Sequence, residues 1–307
     1  MPLPGAVVPT SLSNNQRGVL AIVGCMTAYT VNDVLVKQIL RTYPVGEVIF
    51  VRGAIAVLLI GAVALALGHR KEIGAALSPL LTARSAFDGL STAAFITALA
   101  HMPLANVAAV LQIGPLLITV LSIVLFRETV GWRRWIAIGI GFIGALLVIK
   151  PVPASFDVWA MIAAASALFA ALREISNRRI GHAVPVMVIA LWGAVGITLF
   201  GAVFAVTETW RMFETGDLIR LFVASVFVGI AIYLMALGFR DVDLSVVAPF
   251  RYTYLITSAV GGYLVFAELP DGWTVFGALL IVGSGIYTLH REAVRRRKLT
   301  AEAQTAA

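Results

Sequence analysis

Ten apolar stretches, each close to twenty residues and separated by short connections, fill most of this chain: about 17–40, 44–68, 80–101, 104–126, 132–149, 156–180, 183–207, 218–239, 243–266 and 273–290. A hydrocarbon layer about 30 Å thick takes about 20 residues of α-helix to cross. Inside that layer a segment must satisfy its own backbone N–H and C=O groups, so an apolar run of this length is a helix. The short alternating strands of a membrane barrel are absent. Hydrophobic residues make up 60% of the 307 and charged residues 13%, against about 25% charged in an average soluble domain. Mean hydropathy is +0.95. The fold class is therefore all-α integral membrane, with ten transmembrane helices. The first run lacks a cleavage site and reads as a retained span, and residues 1–15 and 299–307 read as disordered tails. Cys25 is the only cysteine, so an intrachain disulfide is excluded.

The net charge of +7 is explained by its placement. The one dense cluster is Arg291, Arg295, Arg296, Arg297 and Lys298, directly after the last run. Basic residues flanking a span set orientation and meet anionic lipid, which argues against a nucleic-acid partner. With the N-terminus inside, the inside connections carry Arg17, Arg70, Lys71, Arg127, Arg133, Arg134, Arg178, Arg179, Arg240 and the tail cluster. The outside connections carry only Arg41, Lys150 and Arg211. The asymmetry predicts both termini in the cytoplasm.

The chain also matches itself. A shift of 140 or 141 residues lays Asp33 on Glu174, Lys37 on Arg178, Pro44 on Pro185, Phe126 on Phe266, Glu128 on Glu268 and Gly144 on Gly285. Each half holds five runs, an odd number, so the second copy enters the membrane from the opposite side. Inverted repeats of this kind build transporters, in which two halves rock about a site near the midplane. The units are 1–151 and 152–307.

Within the first unit Pro115 stands thirteen residues before Glu128, and Gly141 and Gly144 follow in the next run. The second unit carries APFRYTYLITSAVGGYLVFAELPD at 248–271. These segments resemble the two EamA repeats of the drug/metabolite transporter superfamily, over about 17–290. The resemblance implies two inverted five-helix repeats around a central cavity lined mainly by helices 1–4 and 6–9. The fifth and tenth helices then pack outside it. Leu255 stands where the counterpart of Pro115 falls, and a proline lies at Pro249 instead.

Charged groups inside such spans are costly, so they face protein or water. Asp33 lies about 10 Å, and Arg52 about 12 Å, from the outer ends of their helices. Their matched depth suits an ion pair or a substrate contact. Lys37 is near enough to the outer end to snorkel. Arg84 and Asp88 share one helix face at i,i+4, and Glu174 lies in the inner half. Asp33, Lys37, Arg52, Arg84, Asp88 and Glu174 are the expected gate or ion-pair residues. Candidate substrate contacts are Tyr29, Asn32, Gln112, Tyr233, Arg251 and Tyr252. Arg251 either binds a carboxylate bidentately or pairs with Asp88. Trp132, Trp135, Trp159, Trp210 and Trp273 fit an interfacial belt. The stripe Ala137, Gly141, Ala145 permits close helix contact, more simply inside one chain than between two, which gives a monomer with a dimer as the alternative.

No HExxH, GxSxG or phosphate-binding loop occurs, and His69, His101, His182 and His290 are scattered. No enzyme, metal or cofactor is expected. The expected function is secondary transport of a small organic molecule across a bacterial inner membrane. Within the superfamily the pattern is similar to YddG-like exporters of amino acids, aromatic ones included. Uptake of S-adenosylmethionine or a nucleoside-like metabolite is the alternative; a membrane-embedded enzyme or a lipid flippase is the alternative from another class.

Overall fold

A computed structural model describes residues 14–75, 78–126, 132–149, 157–180, 184–238, 242 and 244–305, and every regular element among them is helical. The first half holds α1 (Asn14–Ile39), α2 (Val45–Ala66), α3 (Arg70–Ala75), α4 (Pro79–His101), α5 (Leu104–Leu111), α6 (Gly114–Phe126) and α7 (Trp132–Ile149). The second holds α8 (Val158–Ile180), α9 (Val186–Ala205), α10 (Thr215–Gly238), α11 (Leu244–Val247), a 3-10 turn (Ala248–Tyr252), α12 (Thr253–Phe266) and α13 (Gly272–Thr305). Segments 14–39, 45–66, 104–125, 158–177, 186–205 and 215–235 are long and apolar enough to cross a membrane. Shorter apolar helices lie at 135–149 and 272–288.

Local chemistry sets the boundaries. Ser78 caps α4 by accepting a hydrogen bond from the Leu81 N–H at 3.2 Å, and Pro79 fills the first turn, where no donor is needed. The fourth apolar run is two helices, broken at Gln112–Ile113. Pro115 has no N–H for the Leu111 carbonyl and its ring crowds that oxygen, so the break falls one turn upstream. The related stretch of the second half is also broken, at Ala248–Tyr252, and there the cause is Pro249 rather than a proline at 255. Two features depart from the sequence expectation. The 67–78 connection contains the short helix α3. The 299–305 part of the tail, expected to be disordered, continues α13, because REAVRRRKLTAEAQT is built almost wholly of strong helix formers.

The halves are interleaved. The principal packing partners are α1 with α10, α2 with α9, α4 with α8, and α7 with α13, one helix from each half in every case. Lipid is as apolar as leucine, so such pairs are held by close packing and polar contacts rather than by exclusion of water. The α7–α13 contact is the tightest kind. A Cβ at Gly277 would lie 2.5 Å from the Gly144 carbonyl oxygen, and one at Gly144 would lie 2.6 Å from the Gly277 carbonyl. Ala137 and Ala145 are buried beside Gly141 on the same helix. On α10, by contrast, Ile219, Phe222, Val226, Ile230, Tyr233 and Leu237 are all exposed at helical spacing, a stripe that faces lipid.

Candidate functional site

Polar groups in this bundle collect along an axis between the halves. The end of the bundle that holds Pro44 also holds the α4–α5, α9–α10 and α12–α13 connections; the opposite end holds Ser78. At the Pro44 end Lys37, 7% exposed, donates to both oxygens of Glu268, at 2.6 and 2.8 Å, and to the Met102 carbonyl at 2.7 Å. Glu268 also accepts from the Leu104 N–H at 2.9 Å, which caps α5, whose N-cap is the side-chain-inert Pro103. The left-handed Ala267 (φ 55) turns the chain so that Glu268 points inward. Phe266 lies 5.1 Å from the Lys37 ammonium and 4.9 Å from the Arg41 guanidinium. Lys37 is thus paired inside the protein rather than snorkelling. Glu128 and the side chain of Arg178, the repeat counterparts of Glu268 and Lys37, lie outside the described residues.

A second carboxylate closes the same end in the same way. Pro44 offers α2 no side-chain cap. Glu208, from the α9–α10 connection, accepts from the Gly46 and Glu47 N–H groups at 3.0 and 3.1 Å. Glu47 accepts in turn from the Arg211 N–H, and the Glu214 N–H donates to the Tyr43 hydroxyl. Tyr43 stacks on Phe213 with ring centroids 4.2 Å apart. Neither cap is visible as a local motif, since each carboxylate arrives from about 160 residues away.

Below that end Asp33 accepts from Asn32 Nδ2 at 2.7 Å and from the Tyr254 hydroxyl at 2.6 Å. Thr30, one turn deeper, meets Thr257 at 2.6 Å, so α1 and α12 share a polar seam. No ion pair within 4 Å joins Asp33 to Arg52. Arg52 lies within electrostatic reach of Asp33 and Tyr29 and, among the described residues, makes no hydrogen bond or ion pair. Tyr29 stands near the middle of α1, about 15 Å from Ile39. The charges of Arg173, Arg251, Arg52 and Asp33 all reach its hydroxyl.

Toward the Ser78 end the two halves are joined by a denser cluster. Arg84 donates to Asp88 at 2.7 Å, to Asn177 at 3.0 Å and to the Ile189 carbonyl at 3.3 Å. Arg173 donates to the other oxygen of Asp88 at 2.9 Å. Glu174 lies within electrostatic reach of Arg84 and Arg173. Ser91 and Ser166 exchange hydroxyl-to-carbonyl bonds at 3.0 and 2.8 Å. Room for the arginine comes from Gly193, where a Cβ would lie 2.5 Å from Asp88 Oδ2 and collide with Arg84 Nη1.

Of the residues singled out from sequence, Tyr29, Asn32, Asp33, Lys37, Arg52, Arg84, Asp88, Glu174 and Arg251 are brought onto this axis. Asp88 is held by Arg84 and Arg173 and not by Arg251. Arg251 is exposed on the 3-10 turn and faces α1, within electrostatic reach of Cys25 and Tyr29. Gln112 closes α5, its N–H bonding to the Ala109 carbonyl at 3.2 Å. Tyr233 is not brought in, because it belongs to the lipid-facing stripe of α10. Tyr252 turns its phenol against Gly285 of α13. Arg173, Asn177, Tyr254 and Glu268 join the network without having been singled out as site residues. Tyr254 sits in the quoted FRYTY stretch, but nothing in sequence tells which of its two tyrosines faces α1. Two apolar grooves, of about 430 Å³ between α7 and α13 and about 570 Å³ between α5, α12 and α13, lie on the flank rather than on the charged axis. Among the described residues no three His, Cys, Asp or Glu side chains are grouped to hold a metal ion.

Comparison with known proteins agrees with this architecture. A solved crystal structure superposes with a TM-score of 0.61 at 19% identity, covering 91% of this chain and 98% of its own, which shows a shared fold. The pseudopaline exporter of Pseudomonas aeruginosa is 29% identical over 277 residues, 87% of this chain and 94% of that one. The S-adenosylmethionine uptake transporter of Rickettsia prowazekii is 26% identical over 178 residues, 58% of this chain and 60% of that one. The riboflavin transporter of Vibrio cholerae is 28% identical over 207 residues, covering 66% and 69%. The profile of the EamA-like transporter family matches residues 16–150 and again 157–289. The chain is therefore a multi-pass membrane protein for transport of small metabolites, and it belongs to the EamA-like transporter family of the drug/metabolite transporter superfamily.

Proposed function

We propose that this protein exports amino acids or amino-acid derivatives from the cytoplasm across a bacterial inner membrane. It does so as a monomeric ten-span secondary transporter without a cofactor. The repeats are 1–151 and 152–307, and the Pro44 end faces outward. The observation that carries the reading is that Tyr29, near the middle of α1 and one turn from Asp33, lies within electrostatic reach of Arg52, Arg173 and Arg251, each from a different helical element. Arg251 offers a planar fork that matches a carboxylate. Asp33 has lone pairs left to accept from an ammonium group. The Lys37–Glu268 pair then works as the outer closure, and the Arg84–Asp88–Arg173 cluster as the inner one. In an alternating-access cycle each opens while the other holds. The exporter relative that matches 87% of the chain supports the direction.

The test is uptake into liposomes by the purified protein, across a panel of amino acids, S-adenosylmethionine and riboflavin. Amino acids should be moved, and Arg251→Ala should lower their transport at least tenfold more than that of the matching decarboxylated amines. Equal losses would make Arg251 structural. Transport of S-adenosylmethionine with no amino-acid transport would favour the second reading, uptake of that metabolite, which the Rickettsia relatives support.

A further inference from the structure

Apart from the Lys37–Glu268 pair and the Glu47 and Glu208 caps at the Pro44 end, the charges on the axis do not balance. Arg52, Arg84, Arg173 and Arg251 stand against Asp33, Asp88 and Glu174. Asp88 is committed, with one oxygen to Arg84 and one to Arg173. Asp33 accepts from two neutral donors, Asn32 and Tyr254, and from no cation among the described residues. Two guanidinium groups, those of Arg52 and Arg251, therefore keep all their donors open among the described residues. An arginine has five such donors, and a cation held within a membrane protein without a partner is costly.

The two open arginines lie on opposite sides of Tyr29. Arg52 is seven residues from the start of α2 at the Pro44 end. Arg251 is seven residues from the start of α11 at the other end. With the rise of these helices and a 30 Å core, roughly 8 Å of depth separates them. A fork-to-fork contact uses one guanidinium per carboxylate, so one acidic group satisfies one arginine and leaves the other open. The repeat symmetry isolates Arg52 further. Its counterpart at the 141-residue offset is Gly193, which yields its space to Arg84 of another helix. Arg52 is thus a cation of one half only, on a helix that makes no cation–carboxylate contact of its own along the axis.

Building on the amino-acid reading above, we infer that the substrate carries two acidic groups separated by several atoms, one received by Arg251 and the other by Arg52, together with one amine. Its net charge of −1 offsets the single excess positive charge of that stretch of the axis. Arg52 is then the residue that selects for the second acidic group, and Arg251 the one that holds the first.

The experiment is calorimetric binding to the purified full chain, with L-glutamine, 2-aminopimelate, the ω-methyl ester of 2-aminopimelate and S-adenosylmethionine as probes. The wild-type protein should bind 2-aminopimelate at least tenfold more tightly than its ω-ester. Arg52→Gln should weaken 2-aminopimelate by more than tenfold and L-glutamine by less than about threefold. Arg52→Lys should keep a preference for the diacid. Thermal unfolding without ligand reports whether each variant is folded, and the wild-type diacid–ester comparison decides the question even where a variant is not. Equal wild-type affinity for diacid and ester overturns the inference, as does an equal loss for both acids in Arg52→Gln. Binding of L-glutamine without binding of 2-aminopimelate removes only the second acidic group. Binding of neither, with S-adenosylmethionine bound, removes the amino-acid reading as well.

Discussion

Lys37 holds three segments with one ammonium group: α1 that carries it, the Met102 carbonyl before α5, and Glu268 before α13. Removing Lys37 alone leaves Glu268 with the Leu104 N–H and without its ion-pair partner. For a buried pair the loss of one member costs roughly 3–5 kcal/mol, less where water reaches the carboxylate. Glu268 is 23% exposed, so the lower part of that range applies. Lys37→Met should therefore lower the unfolding temperature in detergent more than Lys37→Met with Glu268→Gln does. Strictly additive losses would mean the two groups are not coupled. This residue also shows what sequence can carry. Lipid makes Lys37, Asp33, Arg84 and Asp88 stand out one by one, because each is expensive there. Their partners do not stand out. Glu268 is 231 positions from Lys37 and Tyr254 is 221 from Asp33, and no local rule links positions so far apart. Tyr233 misleads for the opposite reason: a tyrosine is at home both in a pocket and at the lipid surface, and only the neighbours on its stripe decide.

Helices here are positioned by glycines of two kinds, and the two should fail differently. Gly144 and Gly277 bring α7 against α13 backbone to backbone, away from the charged axis. Gly193 brings α9 against the side chains of Arg84 and Asp88. Gly277→Ala should separate two scaffold helices, at about 1–3 kcal/mol of overpacking, while the folded fraction still transports. Gly193→Ala should displace the Arg84–Asp88 pair and cut transport several-fold more than it lowers the unfolding temperature. Transport rates per folded molecule, set beside unfolding temperatures for both variants, check this; the same ratio of losses in the two would mean Gly193 is only a packing site. Helix breaks were partly legible at this scale. Pro115 announces the α5–α6 break by its missing N–H, and Pro249 announces the 3-10 turn. The short α3 carries no comparable signal, since one and a half turns give no periodicity to read.

The two halves are the largest feature that the sequence displays, because a constant offset survives even where single matches are weak. What the offset leaves open is which way the molecule sits in the membrane. Charge supplies an expectation, with the Ser78 end inside: basic residues crowd the connections assigned to that end and the tail after α13, and are sparse in those of the Pro44 end. Two exposed positions test it directly. Gly74, in α3, has open space around its Cα, and Met212, in the α9–α10 connection, is 97% exposed. Cys25 is buried, and replacing it with alanine leaves a chain without thiols. On that background Met212→Cys should react with a membrane-impermeant maleimide in intact cells, and Gly74→Cys should react only after the cells are permeabilised. An inverted molecule would exchange the two results. Labelling of both from one side would break the odd number of spans in each half, and with it the pseudo-twofold relation on which the proposed closures at Lys37–Glu268 and Arg84–Asp88–Arg173 depend.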